Sequence, residues 1–232
     1  MKASIRTIKR KIKRVLLTLM GLALGLPLLL VLLLKFVNPP FWGWEIARTL
    51  FPPQNYPART QHQWVPLNSI SPAIPAAVIA SEDQRFPHHW GVDMHALLSV
   101  LENSGSNGPD RGASTITQQT AKNVFLFPSH TYVRKAYELY IAVLLELIWG
   151  KERIMEMYLN VVEFGPGIYG VQAASQHYFG VSASQVTAYQ AAQLAVVLPN
   201  PYKIRPQPMT QYVQQRVNWV LRQMRNLGAV TF

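Results

Sequence analysis

Two adjacent carboxylates at the end of an apolar stretch are the first residues in this sequence that could do acid–base chemistry. The 232-residue chain has only 11 acidic residues, so candidates are few. Glu82 and Asp83 closely follow the apolar residues 76–80. Carboxylates beside apolar packing are costly unless they are solvated, paired or used, and burial makes a carboxylate a better proton acceptor near neutral pH. Taken alone, the local pattern favours a helix-end acid paired with Arg85, and a general-base role for Glu82 is the alternative.

A third carboxylate, Glu138, lies beside two cations. Arg134 precedes it by four positions and Lys135 by three, which places all three on one face of a helix. This helix becomes wholly apolar over residues 141–145, so we expect it to run through the core, with Glu138 partly buried. Such a group is either a structural ion pair or part of a site for an anionic substrate, and the spacing leaves both open.

The polar stretch 111–123 could bind phosphate or sugar hydroxyls. We expect a helix to begin near Ser114 and to reach residue 125. The side chains that would line one side of it are Thr115, Gln118, Gln119, Lys122 and Asn123. Fixed donors near a helix N-terminus suit an anion because the helix dipole adds to them. The alternative is a polar, solvated face.

The histidines and the lack of cysteine limit metal chemistry. His88 and His89 are adjacent, so they project to different sides of the backbone, and no third ligand has a recognisable spacing. We therefore predict no metal site and expect His89 to support its loop through a hydrogen bond. With no cysteine, the chain has no disulfide framework and no Cys-based nucleophile.

The positive charge is concentrated at the N-terminus. The formal net charge is +11, but seven of the 22 basic residues lie in the first fourteen positions, leaving 15 basic against 11 acidic residues elsewhere. Because the excess is local, it does not indicate a nucleic-acid-binding protein.

An uncharged stretch follows this basic arm. Residues 15–34 contain no charge, and a helix of that length spans roughly 30 Å of hydrocarbon. We predict a cytoplasmic basic arm over 1–14 and a transmembrane anchor over 15–37. The rival interpretation, a cleaved signal peptide, would have a shorter apolar region and a small-residue cleavage site, which is missing here.

The rest of the chain is predicted to be mainly α-helical. We assign residues 38–70 to a linker and membrane-proximal segment, in which Trp42 and Trp44 suit a membrane interface, and residues 71–232 to the catalytic domain. Residues 102–112 are rich in Gly, Asn and Pro and predict a loop. We see no alternating strand of useful length. Helices are expected over 132–149, 151–160, 171–178, 190–198 and 211–227.

Five stretches, in order, resemble the motifs of the peptidoglycan glycosyltransferase family, whose domain also forms the N-terminal half of bifunctional penicillin-binding proteins. They are EDQRFPHHWG, GASTITQQTAKN, RKAYE, KERIMEMYLN and GIYGVQAASQHYFG. The match covers about residues 71–201. The resemblance implies a lysozyme-like helical fold with a larger head and a smaller, membrane-facing jaw.

The resemblance also implies a reaction. Glu82 would be the base that deprotonates the GlcNAc 4-hydroxyl of lipid II. That oxygen would attack C1 of the terminal MurNAc on the growing strand, forming a β-1,4 bond with inversion and releasing undecaprenyl pyrophosphate. Glu138, with Arg134 and Lys135, would assist departure of the pyrophosphate. The substrate-binding residues implied are Asp83, Arg85, Phe86, His89, Ser114, Thr115, Gln118, Gln119, Lys122, Asn123, Arg134 and Lys135.

Cofactors and partners follow from the same resemblance. No cofactor is expected to bind tightly, although Mg²⁺ or another divalent cation could bridge the substrate pyrophosphate. The expected partners are lipid II, the lipid-linked glycan strand and the inner membrane, with the catalytic domain on its outer side; no nucleic acid is expected. Gly21 and Gly25 have a spacing that permits helix pairing with other wall-synthesis proteins.

The sequence also distinguishes this chain from related enzymes. It contains neither S-x-x-K nor K-T-G, which predicts a monofunctional enzyme without a penicillin-binding domain. Two alternatives remain open. A lysozyme-type hydrolase or lytic transglycosylase would share the fold but would not need cations for pyrophosphate. A non-catalytic membrane scaffold would need no catalytic glutamate.

Overall fold

A computed structural model describes residues 2–94, 114–129, 131–229 and 231. The predicted mainly α-helical class is confirmed. The described residues contain nine α-helices: α1 (Lys2–Leu34), α2 (Gly43–Leu50), α3 (Ala73–Glu82), α4 (Ile116–Phe125), α5 (Tyr132–Ile148), α6 (Lys151–Val161), α7 (Gly170–Phe179), α8 (Ala188–Val197) and α9 (Gln211–Leu227). Short 3₁₀ helices are formed by Leu67–Ser69, Phe86–His88 and Ala183–Gln185. The predicted loop 102–112 and the Gly112–Ala113 start of the second motif lie outside the described residues.

A small sheet was not expected from the sequence. Its strands are β1 (Gln61–His62), β2 (Glu163–Gly165) and β3 (Ile168–Tyr169). Their order is β1-β3-β2, with β1 parallel and β2 antiparallel to β3. Strands of two or three residues are too short to show the alternation by which strands are recognised in a sequence.

Helix α1 has the length and composition of a membrane span. Its segment Arg10–Leu34 has 25 residues and a mean hydropathy of 2.6. The chain divides into two compact units, Met1–Pro39 and Pro40–Phe232, so α1 belongs to the first unit and the remaining helices to the second. Among the residues described, it is the one helix long and apolar enough to cross a membrane, which fits the predicted single-pass anchor.

The core of the second unit forms around α3 and α4. Helix α3 packs against α8 and α9, and α4 packs against α2, α5 and α6. Ala77 and Ala80 of α3 are fully buried, and such small side chains allow neighbouring helices to approach closely. Glu82 is the last residue of α3, so its backbone position is fixed by a helix that is held on several sides.

The prediction that residues 141–145 run through the core is only partly right. Ile141 and Leu145 are buried, but Val143 is 46% exposed and Leu147, later in the same helix, is 66% exposed. The stretch 141–145 is apolar on all sides because one side of the helix packs in the core and the other forms an apolar surface.

The residues after the anchor are folded rather than extended. They form α2 and β1, and α2 packs against α4. Trp42, expected to suit a membrane interface, is 2% exposed. Its ring centroid lies 4.8 Å from that of His62 and 5.3 Å from that of Tyr169, so it belongs to the core of the second unit.

Candidate active site

Glu82 is held by a hydrogen-bonded chain of neutral groups. Gln119 Nε2 donates to Glu82 Oε2 at 3.0 Å, and the Tyr158 hydroxyl donates to Gln119 Oε1 at 3.2 Å. Tyr158 is fully buried; burial, followed by the charges of Glu82 and Asp83, raises the pKa of Tyr158 well above its ordinary value. Because the phenol stays protonated and donates to the amide oxygen, the N–H of Gln119 is directed at the carboxylate.

Asp83 connects the end of α3 to the start of α4. Both of its carboxylate oxygens lie 2.9 Å from His89 Nε2, and Oδ2 also accepts the backbone N–H of Ile116 at 3.0 Å. Ile116 is the first residue of α4, where a negative charge is favourable. The expected supporting hydrogen bond of His89 is confirmed. Direct contact of Asp83 or His89 with substrate stays a prediction.

Arg85 and Phe86 follow Glu82 closely in sequence but face other partners. Arg85 Nη1 lies 3.9 Å from Asp93 Oδ1, so the structure pairs it with Asp93 rather than with Glu82. Phe86 is fully buried, and Lys151 Nζ lies 4.5 Å from the centroid of its ring. The same ammonium donates to the backbone oxygen of His89 at 2.6 Å. Lys151 therefore holds the loop that follows Glu82.

Helix α4 begins one residue later than the sequence indicates. Thr115, not Ser114, is its N-cap: the Thr115 hydroxyl accepts from the backbone N–H of Gln118, and the Gln118 side chain accepts from the backbone N–H of Thr115. The Thr115 hydroxyl also donates to Gly91 O at 2.6 Å. Thr115 and Gln118 thus hold the start of the helix, while Ser114 is exposed. Whether these three residues also contact substrate stays a prediction.

Lys122 lies in the electric field of both candidate carboxylates. It is partly buried, and its Nζ lies 5.1 Å from the centroid of the Trp44 ring. Burial lowers the pKa of Lys122; Glu138 opposes this effect, Arg134 and Lys135 add to it, and Glu82 opposes it. This lysine is the residue that links the surroundings of Glu82 to those of Glu138. Its neighbour Asn123 is also buried.

Glu138 is paired with both cations of its own helix, as the spacing predicts. Arg134 Nη1 donates to Oε2 at 2.6 Å, and Lys135 Nζ contacts Oε1. The Glu138 side chain is 3% exposed, whereas that of Lys135 is 41% exposed. Arg134 Nε is buried with no hydrogen-bond acceptor among the residues that the structure describes. Both cations therefore retain capacity to bind an anion.

The structure brings together a subset of the predicted residues. The residues joined by contact or charge are Glu82, Gln119, Lys122, Arg134, Lys135 and Glu138. Two side chains that touch this group, Trp44 and Tyr158, were not predicted from the sequence. Tyr158 lies in the fourth motif, so its motif could have suggested it. Trp44 precedes every motif, and nothing in its sequence context links it to Lys122.

A site of this composition can transfer a proton beside a bound anion. It combines a half-buried carboxylate with three cations and fixed amide donors. Within the described ranges, no group of three or more His, Asp or Glu side chains is arranged to hold a metal ion.

Comparison with known proteins gives consistent matches. Residues 51–225 match the family model described as "Transglycosylase". The chain is 58% identical over 221 residues to a protein of Vibrio parahaemolyticus called biosynthetic peptidoglycan transglycosylase, covering 95% of this chain and 98% of the relative. A protein of the same name from Shewanella oneidensis is 50% identical over 204 residues, covering 88% and 87%. One from Caulobacter vibrioides is 44% identical, covering 91% and 90%.

Proposed function

This chain belongs to the transglycosylase family, and we propose that it polymerises peptidoglycan glycan strands from lipid II as a membrane-anchored, monofunctional enzyme. The relatives that cover nearly the whole chain are named for this biosynthesis. The single observation that carries the proposal is that Gln119, the donor to Glu82, and Lys122 lie about one turn apart on α4, which packs against α5, the helix of Glu138 and its two cations. A proton acceptor and an anion-binding site thus adjoin each other.

Glu82 acts as the general base. It takes the proton of the 4-hydroxyl on the GlcNAc of lipid II, and the resulting oxygen attacks C1 of the terminal MurNAc of the lipid-linked strand. The new C1–O bond forms as the bond from C1 to the pyrophosphate oxygen breaks, which inverts C1 and gives a β-1,4 link. The pyrophosphate leaves with the bonding electron pair. Gln119 keeps the carboxylate in place during the transfer.

The cations stabilise the leaving group. Negative charge develops on the pyrophosphate as the bond breaks, and positive side chains already in place stabilise it without reorganising. Arg134 supplies a planar set of donors that suits phosphate, while Lys122 and Lys135 supply compact charges. Glu138 holds Arg134 and Lys135 through its two oxygens. A divalent cation bridging the phosphates would add further neutralisation.

The lipid substrates account for the membrane features. The apolar part of helix α1 anchors the chain in the inner membrane, and the basic residues at the start of the same helix stay in the cytoplasm. The catalytic residues then lie on the outer side, where they meet lipid-linked substrates. The exposed apolar side of α5, which includes Val143 and Leu147, is on the same helix as the anion-binding cluster. Such a surface suits the membrane interface.

The test is to incubate the purified full chain with lipid II. We expect glycan polymer and released undecaprenyl pyrophosphate. A parallel reaction with purified, uncrosslinked glycan strands distinguishes the enzyme from a lysozyme-type hydrolase or lytic transglycosylase, which would shorten them. A protein that yields no polymer, or one that shortens the strands, contradicts the proposal. A non-catalytic scaffold predicts that Glu82→Gln leaves activity in cells unchanged.

A further inference from the structure

We infer that Trp44 of α2 is a positioning residue for the reaction, which holds Lys122 at the substrate site. The residues matched to the family model begin at position 51, so α2 (Gly43–Leu50) precedes them. This inference rests on the proposed function, because it concerns the lysine assigned there to the pyrophosphate. It adds to the site a helix that lies between the anchor and the matched residues in the sequence.

The Trp44 ring is close to two cations. Lys122 Nζ lies 5.1 Å from the ring centroid, and Arg48 Cζ lies 5.0 Å from it. Both distances fall within the range in which a cation is attracted to the electron-rich face of an aromatic ring. Lysine has a long, flexible side chain, so a ring that attracts its ammonium restricts its rotamers before substrate arrives. A pre-organised ammonium loses less entropy on binding an anion.

The Trp44 ring is itself fixed by a buried carboxylate. Its Nε1 donates to Glu163 Oε2 at 3.4 Å, and Glu163 is 5% exposed. Oε1 of Glu163 accepts the Tyr202 hydroxyl at 2.9 Å and the backbone N–H of Gly167 at 3.1 Å. Arg48 Nε lies 3.8 Å from the same carboxylate. Because these two donors hold Oε1 of Glu163, Oε2 is a fixed acceptor for the indole N–H and limits rotation of the Trp44 ring.

The backbone of α2 is also pressed against the end of α4. A Cβ on Gly43 would lie 2.9 Å from the backbone oxygen of Leu126 and 3.1 Å from its nitrogen. Leu126 caps α4, and Lys122 is in the last turn of that helix. Trp44 directly follows Gly43. The placement of its ring near Lys122 thus follows from close helix packing as well as from its own rotamer.

The ring also contributes to the dry surroundings of the ammonium. Burial is the main cause of the lowered pKa of Lys122, and the charges acting on it come from Glu138, Arg134 and Lys135 on α5 and from Glu82 on α3. Charge interactions are stronger where water is excluded. Removing the ring would hydrate the ammonium and leave those four charges in place.

The experiment is a double-mutant cycle on lipid II binding, measured by titration of the detergent-solubilised full chain. Trp44→Ala should weaken binding roughly 5- to 30-fold, the range expected for a desolvated cation–π contact. Trp44→Phe keeps a ring but loses the donor to Glu163, so it should weaken binding less. In a Lys122→Ala background, either substitution should change affinity by less than about twofold.

A matched control and a pH profile separate positioning from general stability. Trp219 also lies near a cation, with Arg216 Cζ 4.6 Å from its ring, so Trp219→Ala removes a similar pair on α9 and should leave affinity within about twofold. Trp44→Ala should extend lipid II binding to higher pH, because hydration of the ammonium raises the lowered pKa of Lys122 toward its ordinary value. A purely structural effect of Trp44→Ala would not change the pH at which lipid II binding is lost.

The outcomes for Trp44 are separate from those for the proposed function. If Trp44→Ala weakens binding equally with and without Lys122, or if Trp44→Phe and Trp44→Ala both bind normally, Trp44 does not act through Lys122. If Trp44→Ala fails to fold, the affinity of Trp44→Phe with and without Lys122 is compared instead. A loss that requires Lys122 supports the inference, and an equal loss in both backgrounds, or no loss, contradicts it. Polymerisation by the wild-type chain would persist in all these cases, whereas its absence would contradict the proposed function itself.

Discussion

The two candidate carboxylates are held in opposite ways. Glu138 is bonded to Arg134 and Lys135, two cations from its own helix. Glu82 is bonded to the neutral amide of Gln119, which comes from a different helix and is oriented by Tyr158. A carboxylate whose oxygens are occupied by cations serves to place charge, whereas one held by an amide can exchange a proton. This difference supports the proposed division, with anion binding around Glu138 and proton transfer at Glu82.

The largest effect is expected from Glu82→Gln. The amide keeps the shape of the side chain but cannot accept the proton, so turnover of lipid II should fall roughly 100- to 10,000-fold. Affinity for lipid II should stay within about twofold, because the cations are untouched. Steady-state kinetics and titration measure the two quantities.

The control for this substitution is Glu152→Gln. Glu152 is an exposed carboxylate in the first turn of α6, and its replacement should leave turnover unchanged. Near-normal turnover of Glu82→Gln would remove Glu82 from the mechanism and erase the contrast between the two carboxylates.

The opposite pattern is expected from Lys122→Ala. Loss of this ammonium should weaken lipid II binding roughly tenfold to hundredfold, the usual range for a hydrogen bond to a charged group. The loss should shrink as ionic strength rises, since salt already screens part of the attraction. Exposed Lys203 provides the control, as Lys203→Ala should bind normally. Unchanged affinity of Lys122→Ala would rule out the phosphate contact.

A smaller effect on the proton-transfer region should follow from Tyr158→Phe. This change removes the donor to Gln119 Oε1 at 3.2 Å and leaves the amide less firmly oriented toward Glu82. We expect kcat to fall about 2- to 10-fold, in line with the loss of one neutral hydrogen bond, with little change in KM. A change in KM alone would show that Tyr158 acts on substrate binding rather than on the base.

The smallest effect concerns Glu163, another buried carboxylate. Burial raises its pKa, against the opposing effect of its donors and of Arg48, so the folded protein binds a proton here more readily than the unfolded chain. The associated stability is present at low pH and is lost as the pH rises through the raised pKa. A glutamine at position 163 neither binds nor releases a proton, so Glu163→Gln is the reference that lacks this pH dependence.

Thermal unfolding of wild type and Glu163→Gln at several pH values tests the direction in which stability changes with pH. The stability of wild type relative to the variant should decline as pH rises above the ordinary range of a glutamate, because the folded protein must then release a proton that burial favours keeping. A relative stability that instead increases with pH would mean that Arg48 and the other donors outweigh the effect of burial.

Local features of the site could be predicted from the sequence. The contacts of Glu138 with Arg134 and Lys135 follow from spacings of four and three on one helix, which geometry alone determines. Helix α9 (Gln211–Leu227) has the predicted bounds. The start of α4 was misplaced by one residue because Ser114 and Thr115 are both good caps, and only the fold brings Gly91 O to the Thr115 hydroxyl.

Features that depend on distant segments could not be predicted. Asp83 reaches the backbone of Ile116, 33 residues later, and Trp44 reaches Glu163, 119 residues later. Trp44 resembles a membrane-interface residue in sequence, because a tryptophan soon after an anchor is common at that boundary. Its contacts depend on the packing of α2 against α4, which no local pattern encodes.

The most direct test of this mechanism is a structure of the Glu82→Gln variant with lipid II bound as both acceptor and donor. We predict that the acceptor 4-hydroxyl oxygen lies within hydrogen-bonding distance of the residue-82 side chain, roughly 2.6–3.2 Å. We also predict that the pyrophosphate of the lipid-linked donor lies against Lys122, Arg134 and Lys135. A donor pyrophosphate bound away from these cations, or an acceptor hydroxyl out of reach of residue 82, would contradict the mechanism.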